Sequence, residues 1–567
     1  MLIDARSLPA GEPVRAPVCV VGSGAAGITL AMELVEQGVD VVVLEGGGLR
    51  VEREAQDTYR GHLEDGTAHD ALELVRQKRL GGTTGQWGGR CAPLQPIDFE
   101  ARPWISGSGW PIGLDDLVPH YRQAHHYCDL GRYEYSTSEA LEPVEPFVTG
   151  GAAAELSDDG LWRWSPPVKF GRRFRRALAE APRARVLHHA NVVRLEREPG
   201  SGRVVRAVVA RPGPGSGPEL AVEAEIFVLA AGGLECARLL LASNRETPAG
   251  IGNEHDLVGR FYMTHPVAEV GDVRFASAER AAAGGFRRTV DGVYCRRMIR
   301  LDDDVQRRAG LPNLAAALWF PDPRDPVHGD GLLSAFALIR AGLARGRLDW
   351  KSSGVHARYG DIVDVPAHVG NVARHLPEVA RYAATWLGRR WLSPRALPSF
   401  MTGLGAGPMR LRFDAEQSPE PENRVTLTRD LDGFGMPRLA LRYRVSDEDR
   451  ASIVRSLRLI AAEFERLGTG RVTVPDDEDL AAITFGDGTH QMGLTRMAAS
   501  PRAGVVDRDC RVHGTANLFV AGSSVFPTSG AVGPTLTVVA LAVRLAATVA
   551  RELRATATVD VPRPGRP

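Results

Sequence analysis

Several things that would place a chain in a familiar class at once are scarce here. Among 567 residues there are only six cysteines. They are scattered (Cys19, Cys91, Cys128, Cys236, Cys295, Cys510), with no CxxC pair and no zinc-type spacing, so neither a disulfide framework nor a metal site is expected. No excess of one charge exists to attract a polyanion, since 69 basic and 69 acidic residues cancel. With the two signs interspersed, a nucleic-acid partner is not expected. Lysine is scarce beside arginine, and with abundant alanine and glycine this is the pattern of a high-GC coding bias. Long hydrophobic runs are missing too. Val538–Val549 comes nearest, but Arg544 interrupts it and it is too short to span a bilayer, so it reads as a buried helix and no membrane association is expected. The opening MLIDARSLPAGEP lacks the charged-then-apolar pattern of a signal peptide. A cytoplasmic enzyme with reduced thiols is the expectation. At this length one ordinary core does not suffice, which suggests two connected domains.

What is present is concentrated at the two ends. Val18 to Val21 reads as a buried strand, followed by Gly22, Gly24 and Gly27 in a G-x-G-x-x-G turn. The first glycine permits the turn, the second lets backbone approach a pyrophosphate, and the third lets the next helix pack against the strand. A helix opening at Ala25 and Ala26 points unpaired N–H groups and its positive end at phosphate. Val41 to Leu44 is the second strand. Glu45, next to Gly46, ends it about 20 residues after the glycines, where a carboxylate accepts ribose hydroxyls and repels a 2′-phosphate. Alone the glycine pattern is weak; with both strands and Glu45 it is specific. Near the other end, NLFVAGSSVFPTSGAVGPTLT reads as strand, glycine-rich loop and helix start, with Gly522 and Ser523 in the loop and Pro534 and Thr535 at the first turn. Proline is favoured there because its missing N–H is no loss. A cofactor gripped from both ends of a chain is large, which favours a flavin dinucleotide over a nicotinamide.

Between these ends the texture changes. Arg185 to Leu195 and Glu225 to Ala231 are strand-like, the second running into a glycine turn and a helix. From about Val267 to Val474, strand candidates at Arg410–Phe413, Arg424–Leu427 and Arg438–Tyr443 and a helical run Asp447–Leu467 suggest an antiparallel sheet backed by helices. Residues 342–400 are least interpretable; an arginine-rich amphipathic helix, about Ala367 to Trp391, is expected there. The proline-rich tail DVPRPGRP is expected to fray.

Five blocks, in order, carry a resemblance. They are the N-terminal fingerprint, RLGGTTGQWGGRCAPLQPIDF, FVLAAGGLECARLLLAS, DLVGRFYMTHP, and GTHQMGLTRM with the closing SSVFPTSGAVGPTLT. In this series the chain resembles the glucose–methanol–choline (GMC) family of FAD oxidoreductases, and looks most similar to pyranose-oxidase-like and bacterial sugar- or polyol-oxidising members. The resemblance implies an α/β fold: a Rossmann-like FAD-binding domain with an inserted α+β substrate domain. The expected division is 1–266 for the first FAD-binding part, with a flavin-contacting loop at about 80–100, then 267–480 mainly for substrate, then 481–567 returning to the FAD domain. It places Gly81, Gly82, Thr83, Gln86, Trp87 and Gly88 along the flavin, Val192 and Val193 beside the adenine, and Ala231, Gly522 and Ser523 near the rest of the cofactor. Gln86 stands where some relatives have a histidine that binds flavin covalently, so non-covalent FAD is expected.

His490 falls on the family's catalytic histidine. An alcohol loses hydride from carbon only if its hydroxyl proton also leaves, and an imidazole is suited to take it. His265 in MTHP is expected to be structural. One departure stands out: the residue before the proline of the closing motif, His or Asn in the family, is Gly533 here. A group from the middle domain could replace it, one base could suffice, the pocket could be opened for a bulky substrate, or activity could be impaired, at a typical cost of about 10² to 10³ in rate. The implied function is oxidation of a CH–OH group of a sugar, cyclitol or other hydroxylated metabolite, with dioxygen or another acceptor taking the electrons. A non-redox lyase or isomerase on the same FAD scaffold, and a catalytically silent FAD-binding partner protein, are the alternatives. Oligomeric state is left open.

Overall fold

Strand Val14–Val21 ends in a run whose Val18, Cys19 and Val20 are fully buried, the mark of a parallel strand covered on both faces. The computed structural model describes residues 1–9, 11–150, 154–210, 219–346, 364–393, 409–476 and 489–559, with 395, 397, 398, 483, 485 and 486 besides. Its central sheet runs Leu2–Asp4, Ala184–His188, Val41–Glu45, Val14–Val21, Leu220–Leu229, Val204–Ala210, Asn191–Arg197. The first five strands pair in parallel and the last two continue as an antiparallel meander. Leu518–Val520, from the far end of the chain, adds in parallel to the carboxyl end of Leu220–Leu229. Helix Ala25–Glu36 packs against the closing helix Thr535–Val559, so both chain ends meet over one sheet. The expected Rossmann-like organisation is present.

The turn after Val21 admits only glycine at its first position. Gly22 has φ +105°, and a Cβ there would lie 2.5 Å from the Ala230 carbonyl oxygen. At Gly27 a Cβ would fall 2.0 Å from the Gly22 oxygen, so the helix crosses the turn in van der Waals contact.

A second sheet is ordered Gly470–Thr473, Val267–Phe275, Met409–Ala415, Leu314–Trp319, Ile299–Leu301, Leu156–Ser157, all antiparallel. Its alternation separates two faces. Met409, Leu411 and Phe413 join Ile453, Leu457, Ile460 and Phe464 of helix Asp447–Arg466 in one core, leaving Arg412 and Asp414 on the opposite side. Along the neighbouring strand, Leu314, Ala316 and Leu318 enter that core, while Ala317 and Trp319 border a cavity. A smaller sheet, Arg287–Arg288, Tyr294–Arg297, Leu161–Trp164, Arg90–Cys91, closes the other side of that cavity. Among the described residues no helix is long and apolar enough to cross a membrane.

Some expectations need correction. The single strand expected at Arg185–Leu195 is two, Ala184–His188 and Asn191–Arg197, because His189 takes a left-handed φ of 57° and turns the chain. The helix expected at Ala367–Trp391 is also two, Val365–Arg374 and Leu376–Leu387, since Pro377 lies in the first turn of the second, where a missing N–H does no harm. The rest of the 342–400 stretch from 347 to 363, the side chain of Trp391 and the tail 560–567 lie outside the described residues. Two pairings cut across the expected domain boundaries. Leu156–Ser157 and Leu161–Trp164, before 266, pair with strands of the substrate half. Arg424–Leu431 and Pro437–Arg442, before 480, form a sheet with His62–Leu63.

Candidate active site

A cavity of about 1400 Å³ lies between the carboxyl ends of the central strands and the second sheet, larger than a site for one small ligand, which holds roughly 300–1,000 Å³. Gly22, Gly24, Ala25, Ala26, Glu45, Gly46, Gly82, Thr83, Gln86, Trp87, Gly88, Val192, Ala231, Gly522, Ser523, Pro534, Thr535 and His490 all border it. Three residues expected to touch cofactor do not border it. Gly27 is the packing position described above. Gly81 packs on the chain at Gly171, where its Cβ would come within 2.3 Å of the backbone nitrogen. Val193 is the extra residue at a register irregularity between Val192 and Arg194 and packs against the main hydrophobic core instead.

At the central-sheet end, Glu45 braces the turn. One carboxylate oxygen accepts from the backbone N–H and the hydroxyl of Ser23 at 3.1 and 2.5 Å, the other from the Gly47 N–H at 2.8 Å. A carboxylate has about four acceptor positions, so room for a ribose hydroxyl is left. Asn191, which the strand pattern gave no reason to single out, donates to the Gly46 carbonyl at 3.0 Å while its Oδ1 has no partner. The Gln491 amide nitrogen, beside His490, is likewise buried and unsatisfied. Buried polar atoms rarely stay unpaired. Orphans at two separate points of the cavity wall, with open space around Gly88, Gly232 and Gly522 where a Cβ would meet nothing within 4 Å, fit a long ligand carrying donors and acceptors, as FAD does. Pro534 starts the closing helix, its carbonyl accepting from Val538 N–H at 2.8 Å. That leaves the Thr535 and Leu536 N–H groups at a positive helix end. In the 80–90 loop, Trp87 donates to the Val168 carbonyl at 2.8 Å and the Gln86 amide oxygen accepts from Gln77 at 3.2 Å.

His490 sits where the two ends of the cavity meet. Its Nδ1 lies 2.7 Å from Nδ1 of His265, whose Nε2 is 3.2 Å from the backbone oxygen of Ser529. The proton positions follow from chemistry. A carbonyl only accepts, so His265 Nε2 carries the hydrogen; neutral His265 then has a bare Nδ1, which accepts from His490 Nδ1–H. Nε2 of His490 is left as a lone pair with no hydrogen-bond partner among the described residues. His265 therefore does more than fill space, as its motif alone suggested, and only the fold brings the two rings together across 225 residues.

Charge around the pair is arranged to keep both imidazoles neutral. Burial, then His265, pushes His490 down to about 3, with Asp414 opposing and Arg90 adding to the shift. His265 is lowered, chiefly by burial. Burial resists ionisation of Asp414, yet Arg90, Arg412 and the two histidines hold its carboxyl below the usual range; its ion pair with Arg90 is 2.6 Å long. Beside His490, a Cβ on Gly533 would be 3.6 Å from the Arg90 carbonyl oxygen and 3.7 Å from His490 Cε1. The three atoms nearest that Cβ belong to the Arg90 backbone and the His490 ring, and no second polar side chain is among them. Elsewhere, Asp4, His188 and His189 bring potential metal-ligand atoms within 4.8 Å of one another. Both Asp4 oxygens are engaged by Arg6, and His189 also meets Glu52.

A family profile described as GMC oxidoreductase matches residues 419–542, and one described as FAD dependent oxidoreductase matches residues 17–249. The chain is similar to the fructose dehydrogenase large subunit of Gluconobacter japonicus, at 24% identity over 96% of this chain and 99% of that protein. It is equally similar to 2-methyl-1,2-propanediol dehydrogenase of Mycolicibacterium austroafricanum, at 24% identity over 93% of this chain and 94% of that protein. Among solved structures, pyridoxine 4-oxidase from Mesorbium loti matches with a TM-score of 0.51 and 18% identity, covering 94% of this chain and 99% of that one. At that identity the agreement is one of fold.

Proposed function

The chain belongs to the GMC family of FAD-dependent oxidoreductases, and we propose that it oxidises a CH–OH group of a sugar or polyol with His490 as the base. The observation that carries this reading is the bare Nε2 of His490, held by His265 where the glycine-lined half of the cavity meets the second sheet. FAD, when bound, supplies the hydride acceptor that amino-acid side chains lack. The residues that would hold it are the Gly22–Gly24 turn, Glu45, Asn191, the 82–88 loop, Gly522, Ser523 and the Thr535 N-terminus. With Gln86 in place of a histidine we infer that it is held non-covalently; denatured protein should release its yellow colour into solution.

The chain's own part is acid–base. Nε2 of His490 accepts the hydroxyl proton as the carbon gives up hydride. The imidazolium so formed keeps its Nδ1–H on His265, while the Asp414 carboxylate, which favours protonation of His490, stabilises the new charge. Arg90 holds Asp414 in place. Gly533 leaves space beside the base, which suits a substrate bulkier than a simple alcohol. The relatives described above are dehydrogenases by name, which supports redox chemistry over the lyase and silent-partner alternatives. Electrons pass on to dioxygen or another acceptor. Six buried, unpaired thiols suit a reducing cytoplasm.

Anaerobic mixing of the yellow protein with glucose, fructose, inositol and 1,2-propanediol tests the proposal. Bleaching of the flavin band by at least one, lost in His490→Ala with FAD retained, is the expected result. A flavin that no hydroxylated compound reduces would overturn it.

A further inference from the structure

The half of the cavity built by the second sheet is rich in donors. Arg296 enters it from strand Tyr294–Arg297 and Arg412 from Met409–Ala415. Arg412 and Asp414 share one face of their strand, two residues and hence about 7 Å apart, so this guanidinium lies one pleat beyond the carboxylate that faces the histidines. Arg412 stacks over Trp319 at 4.8 Å and meets Glu269 at 3.4 Å; Arg90 is balanced by Asp414. Arg296 differs. It is 3% exposed, its Nε donates to the Gly284 carbonyl at 3.2 Å and its Nη2 to the Leu318 carbonyl at 2.5 Å. No carboxylate pairs with it among the described residues. Burial, with Arg90 and Arg412 as like-charged neighbours, pushes its pKa down to about 9. In the same walls the indole N–H groups of Trp162 and Trp319 have no acceptor.

A buried guanidinium without a counter-ion is costly, and such perturbed groups in a cleft are where a ligand brings the missing charge. The geometry points to a hydroxylated substrate bearing an anionic substituent, a carboxylate or a phosphate ester, gripped by Arg296 and Arg412 while the carbon to be oxidised lies at His490. This rests on the oxidoreductase reading and narrows its substrate to sugar acids or sugar phosphates. Arginine suits the task because its planar fork matches both anions. The backbone rise from Asp414 to Arg412, about 7 Å, is of the size of one sugar ring with an exocyclic anion.

The test mixes holoprotein anaerobically with glucuronate, glucose 6-phosphate and glucose and follows the flavin band. One of the two anions should half-saturate the reduction at a concentration about 10- to 100-fold below that of glucose, the effect of one or two charge-assisted hydrogen bonds. Which anion does so separates carboxylate from phosphate. Arg296→Met should erase the preference and leave glucose within about twofold, with Arg296→Lys intermediate; Arg296→Gln, which keeps an amide donor for the Gly284 and Leu318 carbonyls, gives the same readout should Arg296→Met fail to fold. Glucose matching both anions, or variants that weaken all three sugars alike, would overturn the inference and leave the oxidoreductase reading standing. If no sugar reduces the flavin, the oxidised holoprotein is titrated with glucuronate and with inorganic phosphate. A saturable change in flavin absorbance that Arg296→Met abolishes upholds the anion subsite although the hydride reading falls; no change sinks the subsite.

Discussion

Nδ1 of His265 stands 2.7 Å from Nδ1 of His490, with the two rings nearly perpendicular at 84°. Because the far nitrogen of His265 faces a carbonyl, this contact decides which nitrogen of His490 is bare. His265 is a positioning residue: it orients a base without meeting the substrate. Supporting hydrogen bonds of this kind are worth about 10- to 100-fold. His265→Leu should therefore lower kcat by about that factor, with KM and FAD content nearly unchanged. A purely structural histidine would instead lower Tm and FAD content together. Stopped-flow reduction, alongside the absorbance ratio of flavin to protein, separates the two.

The pH dependence follows from the depressed pKa of His490. With the imidazole held down to about 3, mainly by burial and by His265, the neutral, competent form persists throughout mildly acidic conditions. An ordinary histidine near 6.5 would be about 97% protonated at pH 5 and cost about 30-fold in rate. The expected outcome is kcat/KM constant within about twofold between pH 5 and 7 as far as this group decides it. Stability moves the other way. A histidine whose folded pKa lies below its unfolded one leaves the unfolded state binding the extra proton, so stability falls as pH drops below about 6.5. His265, lowered likewise, adds to the effect. Tm of the holoprotein should decline between pH 7 and 5, less steeply in His265→Leu.

The cofactor half was legible in the sequence because its constraints are local. Gly22, Gly24, Glu45 and Pro534 each act within a turn or a helix end, so spacing along the chain reports their roles. The paired histidines were not legible as a pair, since the contact joins residues 225 apart and neither ring's surroundings show in its own segment. Arg412 and Asp414 escaped notice for a related reason: M-R-L-R-F-D alternates like any half-buried strand, and the pattern does not reveal whether its polar face meets water or a cavity; Arg296, in Y-C-R-R, has no alternation at all, since all four residues of that strand are buried. Segments Leu156–Trp164 and Arg424–Arg442 crossed the expected boundaries because strand pairing links residues by space rather than by order.

Two glycines of the same turn should fail differently. At Gly22 the left-handed φ and the 2.5 Å approach to Ala230 O make any side chain a strain on the protein itself, about 1–3 kcal/mol. Gly22→Ala should lower Tm of the apoprotein and lose FAD. At Gly24 the nearest atom to an added Cβ is 4.0 Å away, so Gly24→Ala leaves the apoprotein intact and impairs only the close approach of the pyrophosphate. Thermal unfolding of cofactor-stripped protein, followed by FAD titration, reads the contrast. Equal loss of apoprotein stability in both variants would contradict it.

The last prediction concerns what ties the two halves together. Arg102, in the loop after the 80–100 block, binds Glu416, just past the second sheet's Met409–Ala415 strand, through two bonds of 2.7 and 2.6 Å, both side chains being fully buried. Asn313 N–H adds a third bond to that carboxylate at 2.9 Å. Deleting one member leaves an uncompensated charge in a place water does not reach, which costs about 3–5 kcal/mol, whereas replacing both by apolar groups of similar size is often close to neutral. Arg102→Met should thus shift the first urea transition strongly to lower concentration, and Arg102→Met combined with Glu416→Leu should recover most of the loss. If the double variant is no better than the single, the pair is an indispensable geometric joint between cofactor and substrate halves, and flavin reduction in the double variant should then fail even where folding is retained.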